Sequence, residues 1–289
     1  MDRDEFAARS QSFGAAVDVY DRTRPGYATD AVAWCLAPVA GTVPSEPSVP
    51  SESSMPSEHA AVSAAATRPA GALLRVADVG AGTGKLTAAV RALGHQVVAI
   101  EPDRDMLARL RTAFAADDDV EALVGSVEDL PLADGGVDAV VVGQAWHWFD
   151  EARAAAEIAR VLRPGGVVAA IWNSRDEDVD WVRAWSQVVE EGAHPTGRKL
   201  VAHQGGPAFG DAFERREDAT FRHLQVLRPD DVVALAASRS YTITLPEDRR
   251  TALLADVQRL VATHPDLAGR DRITMPYVVE CHRARLRDG

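Results

Sequence analysis

The sequence predicts an α/β fold: a mostly parallel sheet with helices on both faces. Three observations predict it. From about residue 73 to residue 172, short apolar runs rich in Val, Ala and Ile alternate with helical stretches. The first run ends on a glycine-rich turn, Gly80-Ala81-Gly82-Thr83-Gly84, that leads straight into a helix. Asp78, Glu101, Ser126 and Gly143 all fall where runs end, and sheets of this kind bind ligands beyond the carboxyl ends of their strands.

The elements follow in order. Residues 5–39 read as amphipathic helix, broken near Arg24-Pro25-Gly26-Tyr27, because the residue before proline avoids helical backbone. Residues 41–71 nearly repeat a Pro-Ser-Glu unit and hold almost no large apolar side chain. Such a stretch cannot offset its ordering entropy by burial, so it reads as a disordered insertion. Residues 1–40 then form an N-terminal helical cap segment and residues 72–289 one domain. Strand 73–79 leads to helix 85–93, with Leu86, Val90 and Leu93 on one face; strand 96–101 leads to helix 103–114. Strand 120–125 leads, through a turn at Asp134-Gly135-Gly136, to strand 137–143; helix 150–162 leads to strand 166–172.

From 173 to 218 the pattern turns irregular, and this stretch reads as a substrate-shaping cap. A helix starts at Asp180, with Trp181 and Trp185 sharing a face. A strand near 220–227 follows, then helices opening at Pro229 and Pro246, first-turn positions where proline is tolerated. A last strand covers 273–282, and its Pro276 points to an edge or bulge at that end.

Glycines let the first turn approach a ligand closely, and the helix behind it points N–H groups and a positive dipole end into it. Two ligand classes fail on spacing. A dinucleotide fingerprint from Gly80 needs glycine where Lys85 stands, and a phosphate loop ending at Gly84-Lys85 needs glycine at Val79 and a hydroxyl at Leu86. What remains is an acid, Asp78, just before the turn: badly placed for a polyphosphate and well placed for an ammonium group.

Asp78 to Gly84 resembles the first motif of class I S-adenosylmethionine-dependent methyltransferases. Further matches come in order: Val97 to Asp103, a strand ending in an acid; Gly125-Ser126-Val127-Glu128-Asp129-Leu130-Pro131; Val137 to Val142; and Leu162-Arg163-Pro164-Gly165-Gly166. Glu101 lies about 20 residues past the turn, the offset of a carboxylate that grips ribose hydroxyls. The resemblance is to the small-molecule, type 11-like members. It implies a Rossmann-like, seven-stranded, mostly parallel sheet with an antiparallel edge hairpin and a small helical cap. It implies S-adenosyl-L-methionine as cofactor, cradled by Asp78, Gly80, Ala81, Gly82, Thr83 and Gly84, with Glu101 and Pro102 at the ribose, Ser126, Val127 and Glu128 at the adenine, and Gln144 beside them. Ser126 departs from the acid often found there. The reaction implied is in-line transfer of a methyl group to an O, N or C centre of a small molecule. Tyr20 and Arg24, in a segment similar to one that closes over the cofactor, line the site on this resemblance. Read bare, Tyr20 packs and Arg24 caps a helix.

The most individual stretch is Gly143-Gln144-Ala145-Trp146-His147-Trp148-Phe149-Asp150. Aromatic faces attract cations, and a methylsulfonium is one, so Trp146 and Trp148 read as substrate-site walls. His147, whose imidazole titrates near neutrality, is the candidate catalytic base. On residues alone, the aromatics also fit core packing and His147 a cap before Asp150. A nicotinamide oxidoreductase and a non-catalytic S-adenosylmethionine sensor stand as rival functions.

Composition bounds the partners. The chain has 289 residues, enough for one large core, and a formal net charge of −12, which repels nucleic acid rather than steering it in. Cys35 and Cys281 have no metal-ligand spacing and fit a reducing cytoplasm. The acidic start is not a secretory signal, and no run is apolar enough for a bilayer. The expectation is a cytoplasmic enzyme with a small-molecule acceptor, no metal, no nucleic acid and no membrane; the sequence leaves its oligomeric state open.

Overall fold

A computed structural model describes residues 21–40, 73–193 and 206–288. The expected insertion at 41–71 and Tyr20 lie outside the described residues.

Seven strands form one sheet in the order β3-β2-β1-β4-β5-β7-β6. They are β1 (Arg75–Val79), β2 (Gln96–Ile100), β3 (Val120–Leu123), β4 (Val137–Gly143), β5 (Leu162–Arg175), β6 (Glu217–Leu227) and β7 (Ile273–Arg285). β1 to β5 pair in parallel, and β7 runs antiparallel to both β5 and β6. The expected mostly parallel sheet with an antiparallel hairpin at one edge is what forms. The chain leaves β1 toward β2 and β3, then returns to lay β4 on its other side. That reversal makes the β1/β4 boundary the topological switch, where a crevice opens.

The strands are apolar throughout because both faces are covered. Successive side chains alternate between faces. Val76, Val97, Val141 and Ala169 join one core cluster, which holds α1 (Thr29–Ala40) and α2 (Lys85–Ala92). Ala77, Val98, Val140 and Val168 join another, which holds α4 (Glu151–Val161). α3 (Arg104–Ala113) starts on an Asp103 cap, whose Oδ1 accepts from the Asp105 and Met106 N–H groups. A third cluster lies beyond the parallel half. It packs Trp181 and Trp185 of α5 (Asp180–Ala193) against α6 (Pro229–Ala237), α8 (Glu247–Thr263) and the first half of β7.

Two local expectations are refined. β5 starts at Leu162, and its pairing jumps from Val137↔Leu162 to Ala139↔Val167. Arg163-Pro164-Gly165-Gly166 is therefore a bulged turn inside the strand. Pro276 pairs with Leu224 of β6, while β5 stops at Arg175↔Tyr277. The proline's missing donor thus faces a side where the ladder has ended. α7 (Ser240–Ile243), a short helix between α6 and α8, had no visible signal. No helix among the described residues is long and apolar enough to cross a membrane.

Candidate active site

A cavity of about 420 Å³ opens at the carboxyl ends of β1, β2 and β4. Asp78, Gly80, Ala81, Gly82, Thr83, Glu101, Pro102, Ser126, Val127, Glu128 and Gln144 all line it, as do Arg24, His147 and Trp148. Those expected residues are thus brought together from five separate stretches of chain.

Asp78 is fully buried at the end of β1. Its Oδ2 accepts a 2.6 Å hydrogen bond from the Thr87 hydroxyl, and its Oδ1 is buried with no hydrogen-bond partner. Burial, resisted by the bonds from Thr87 and helped by the Glu101 charge, pushes its carboxyl up to about 7. A buried carboxylate oxygen left without a partner in a residue that lines a cavity calls for a donor, best of all a cation. Glu101 is nearly buried; its Oε2 accepts from the Gly82 N–H at 2.8 Å and its Oε1 from the Asp103 N–H at 2.9 Å. Burial raises its pKa against the pull of those two bonds. Each oxygen keeps a lone pair for a further donor.

The glycines of the turn differ. Gly82 has φ 57°, and a Cβ there would meet nothing within 4 Å, so its open face is the cavity. Gly84 has φ 93°, and a Cβ there would stand 2.7 Å from the Phe114 ring and 3.1 Å from Leu110. Gly84 lets α2 and α3 pack closely and does not line the cavity. Its expected cofactor contact is corrected to a packing role.

The strand-four exit is also corrected in part. Gln144 takes φ 58°, the one left-handed non-glycine residue among the described residues, and turns the chain off β4. A 3₁₀ turn spans Trp146–Trp148. With three residues per turn, its side chains fan out in different directions. Trp148 and exposed His147 face the cavity, with ring centroids 4.6 Å apart. Trp146 points away: it is 1% exposed, lies edge-on to Phe209 at 5.0 Å, and donates to Glu151 at 3.0 Å. Trp146 is core, not a substrate wall. The cap of α4 is Asp150, which accepts from the Arg153 N–H, so His147 is not needed for capping.

Arg24 lines the cavity, and its Nη2 donates to the Ser238 carbonyl at the end of α6. Tyr27 packs so tightly on Gly143 that any Cβ there would collide with its hydroxyl. Arg239 and Tyr241 complete the wall and were not anticipated. Asp103 and Met106 also line it, and their position in the first turn after an acid-ended strand was a usable signal. None of the described residues of the expected cap, 173–218, lines the cavity. The segments that close it are 24–27 and 239–241. Among the described residues no His, Cys, Asp or Glu cluster could hold a metal.

Comparison with known proteins agrees with this geometry. A methyltransferase-domain family model matches residues 77–170. An uncharacterized methyltransferase of Mycobacterium tuberculosis is 39% identical over 277 residues, covering 96% of each chain. A malonyl-[acyl-carrier protein] O-methyltransferase of Pectobacterium atrosepticum is 37% identical over 136 residues, 47% of this chain and 52% of that one. The structure of a putative type II methyltransferase from Anaeromyxobacter dehalogenans superposes with a TM-score of 0.56 at 21% identity, over 74% of this chain and 91% of that one, a likeness of fold. By its motifs, its sheet order and its full-length relative, the chain belongs to the class I S-adenosylmethionine-dependent methyltransferases.

Proposed function

We propose that this cavity binds S-adenosyl-L-methionine and that the chain transfers its methyl group to an O, N or C centre of a small molecule. The observation that carries the reading is Asp78, a lining residue whose Oδ1 is buried without a partner, in the same cavity as the open face of Gly82. An ammonium group answers an orphaned carboxylate oxygen, and the space over Gly82 admits the chain that bears it. Glu101 has lone pairs left for two hydroxyls, and Ser126, Val127 and Glu128 border the next part of the cavity. This donor and acceptor set fits the cofactor from end to end.

Bound S-adenosylmethionine supplies a methyl group already activated by a positively charged sulfur. The chain's own work is then to hold partners in line and to keep water out. Trp148 and Phe149 give the cavity apolar walls near the β4 exit. His147, exposed and lining the same cavity, takes the proton from an acceptor that has one to lose.

Calorimetric titration with S-adenosylhomocysteine tests the binding, and product formation from methyl-labelled cofactor over a metabolite panel tests the transfer. Saturable one-to-one binding is expected, with no binding of nicotinamide dinucleotides. Failure of S-adenosylhomocysteine to bind the folded chain would sink the reading.

A further inference from the structure

Two segments line the cavity without belonging to the sheet or to an α-helix. One is the strap 24–27, from which Arg24, Pro25 and Tyr27 face the cavity. The other is the β4 exit, where Gln144 turns the chain and His147 and Trp148 reach the cavity. Both are tied to one residue, Asn173.

β4 pairs with β5 as far as Gly143↔Ile171, whereas β5 runs on to Arg175. Asn173 therefore stands on an overhang beyond the last β4 pair. On its other side the ladder with β7 continues through Asn173↔Val279 and holds its backbone in place. Its Nδ2 donates to the Gly26 carbonyl at 2.9 Å. Its own main-chain carbonyl accepts from Gln144 Nε2 at 3.3 Å. The Gln144 N–H donates to the Ile171 carbonyl at 2.9 Å, so Gln144 is tied to β5 by main chain and side chain alike. Both amide groups meet carbonyls, which accept and cannot donate, and this fixes which way each amide faces.

The arrangement is costly in two places. Asn173 is buried, and its Oδ1 has no hydrogen-bond partner among the described residues. Gln144 holds a φ of 58°, which residues other than glycine avoid. An apolar side chain at 173 and a glycine at 144 would remove both costs and would give up both side-chain bonds. Asn173 does not line the cavity, so what it does there it does through Gly26 and Gln144. Their neighbours Tyr27 and Gly143 pack on each other, so the two tied segments meet again at the cavity wall.

We infer that Asn173 is a positioning residue for methyl transfer: it fixes Tyr27 and the His147–Trp148 turn relative to each other. The inference rests on the proposed function, which sets His147 against the acceptor. A misplacement of about 1 Å can cost on the order of 10²-fold in rate, so a post that holds two cavity segments in one geometry bears on turnover without touching either ligand.

The test uses the full chain in two labelled forms, one with 3-fluorotyrosine and one with 5-fluorotryptophan, each saturated with S-adenosylhomocysteine. The chain has four tyrosines and six tryptophans, and Tyr27→Phe and Trp148→Phe assign the two fluorine resonances needed. Asn173→Asp keeps the shape of the side chain and removes its donor; Asn173→Ala serves if the aspartate variant does not fold. Either should shift the Tyr27 resonance. Gln144→Gly keeps the left-handed backbone, loses the amide, and should shift the Trp148 resonance. Ser174→Ala, which loses a bond to Glu280 one residue further on, should shift neither. In the Asn173 variants affinity for S-adenosylhomocysteine should stay within about threefold, while kcat on an acceptor from the metabolite panel should fall tenfold or more. The inference is overturned if Tyr27 is unshifted in the folded Asn173 variants, or if Trp148 is unshifted in Gln144→Gly. It is equally overturned if Ser174→Ala shifts both, or if kcat is unchanged. In each case S-adenosylhomocysteine still binds and the proposed function stands. Failure of the unaltered chain to bind S-adenosylhomocysteine would remove both.

Discussion

One part of the cavity wall is made from residues close together in sequence. Asp78, the glycine turn and Glu101 span the ends of two adjacent, paired strands. The other part joins Arg24 to a helix end 214 residues away. The first is acidic and the second basic. The first is fixed by the sheet, since β1 and β2 keep strict register from Arg75↔Gln96 to Val79↔Ile100. The second is fixed by a small polar network. Thr23 accepts from Gln225, Gln225 accepts from the Tyr277 hydroxyl, and Arg24 caps α6. The difference teaches that the chemistry a fold family shares sits where the backbone is rigid and local. What distinguishes one member sits where distant segments meet.

The largest expected effect comes from filling the first wall. Gly82→Val places a β-branched side chain at a positive φ and in the open cavity. Binding of S-adenosylhomocysteine should be lost while the circular dichroism spectrum stays native. Gly84→Val should do the reverse, because its Cβ meets Phe114 and Leu110 instead of the cavity. Overpacking plus left-handed strain costs roughly 2–5 kcal/mol, so melting should fall by about 5–15 °C. Equal effects of the two on binding would erase the distinction drawn between them.

Next comes His147, an exposed residue that lines the cavity. If it takes the acceptor's proton, His147→Ala should lower turnover about 10²–10⁴-fold. Cofactor affinity should hold, and the deficit should shrink at high pH, where the acceptor ionises unaided. A pH–rate profile of both proteins on any accepted substrate reads this. Normal turnover at neutral pH would leave positioning alone as the source of catalysis.

Glu101→Ala should act within the first wall only. A charged hydrogen-bonded partner is worth roughly 1.5–3 kcal/mol, so S-adenosylhomocysteine should bind about ten- to a hundredfold more weakly by calorimetry.

What was legible in the sequence follows the same division. The glycine turn, the acid-ended strands and the bulged Arg163-Pro164-Gly165-Gly166 are short-range signals, and each stands close to where its spacing predicts. The strand-four aromatics were half legible. Their crowding was visible, but the 3₁₀ turn that sends Trp148 into the cavity and Trp146 into the core depends on packing against Phe209. Gly84 could not be told from Gly82, because the difference is made by Phe114 on another helix. Arg239 and Tyr241 gave no signal at all. They sit at a break between two helices, and only the tertiary contact of Arg24 with Ser238 makes them part of a site.

The smallest expected effect, and the one that probes what the first wall costs, concerns Asp78. Its folded pKa is raised from the ordinary 3.8 to about 7, mainly by burial. A carboxyl with a raised pKa holds its proton more tightly folded than unfolded, so folding takes up a proton between about pH 4 and 7. The stability this group gives is therefore full at acid pH and is lost as pH rises through 7. Asp78→Asn keeps the shape and removes the charge. At pH 8 the variant without ligand should melt about 3–10 °C above the unaltered chain, and the gap should shrink as pH falls below 7 and close near pH 4. Ligand binding should move the other way. An ammonium group prefers the ionised carboxylate, so affinity for S-adenosylhomocysteine should rise with pH through 7 in the unaltered chain. In Asp78→Asn it should be weaker and flat over that range. A variant that melts higher and binds less would mark Asp78 as a residue kept at the expense of stability for the sake of its ligand. If melting is unchanged across the range, the carboxyl ionises at its ordinary pH and the cavity reaches it with water.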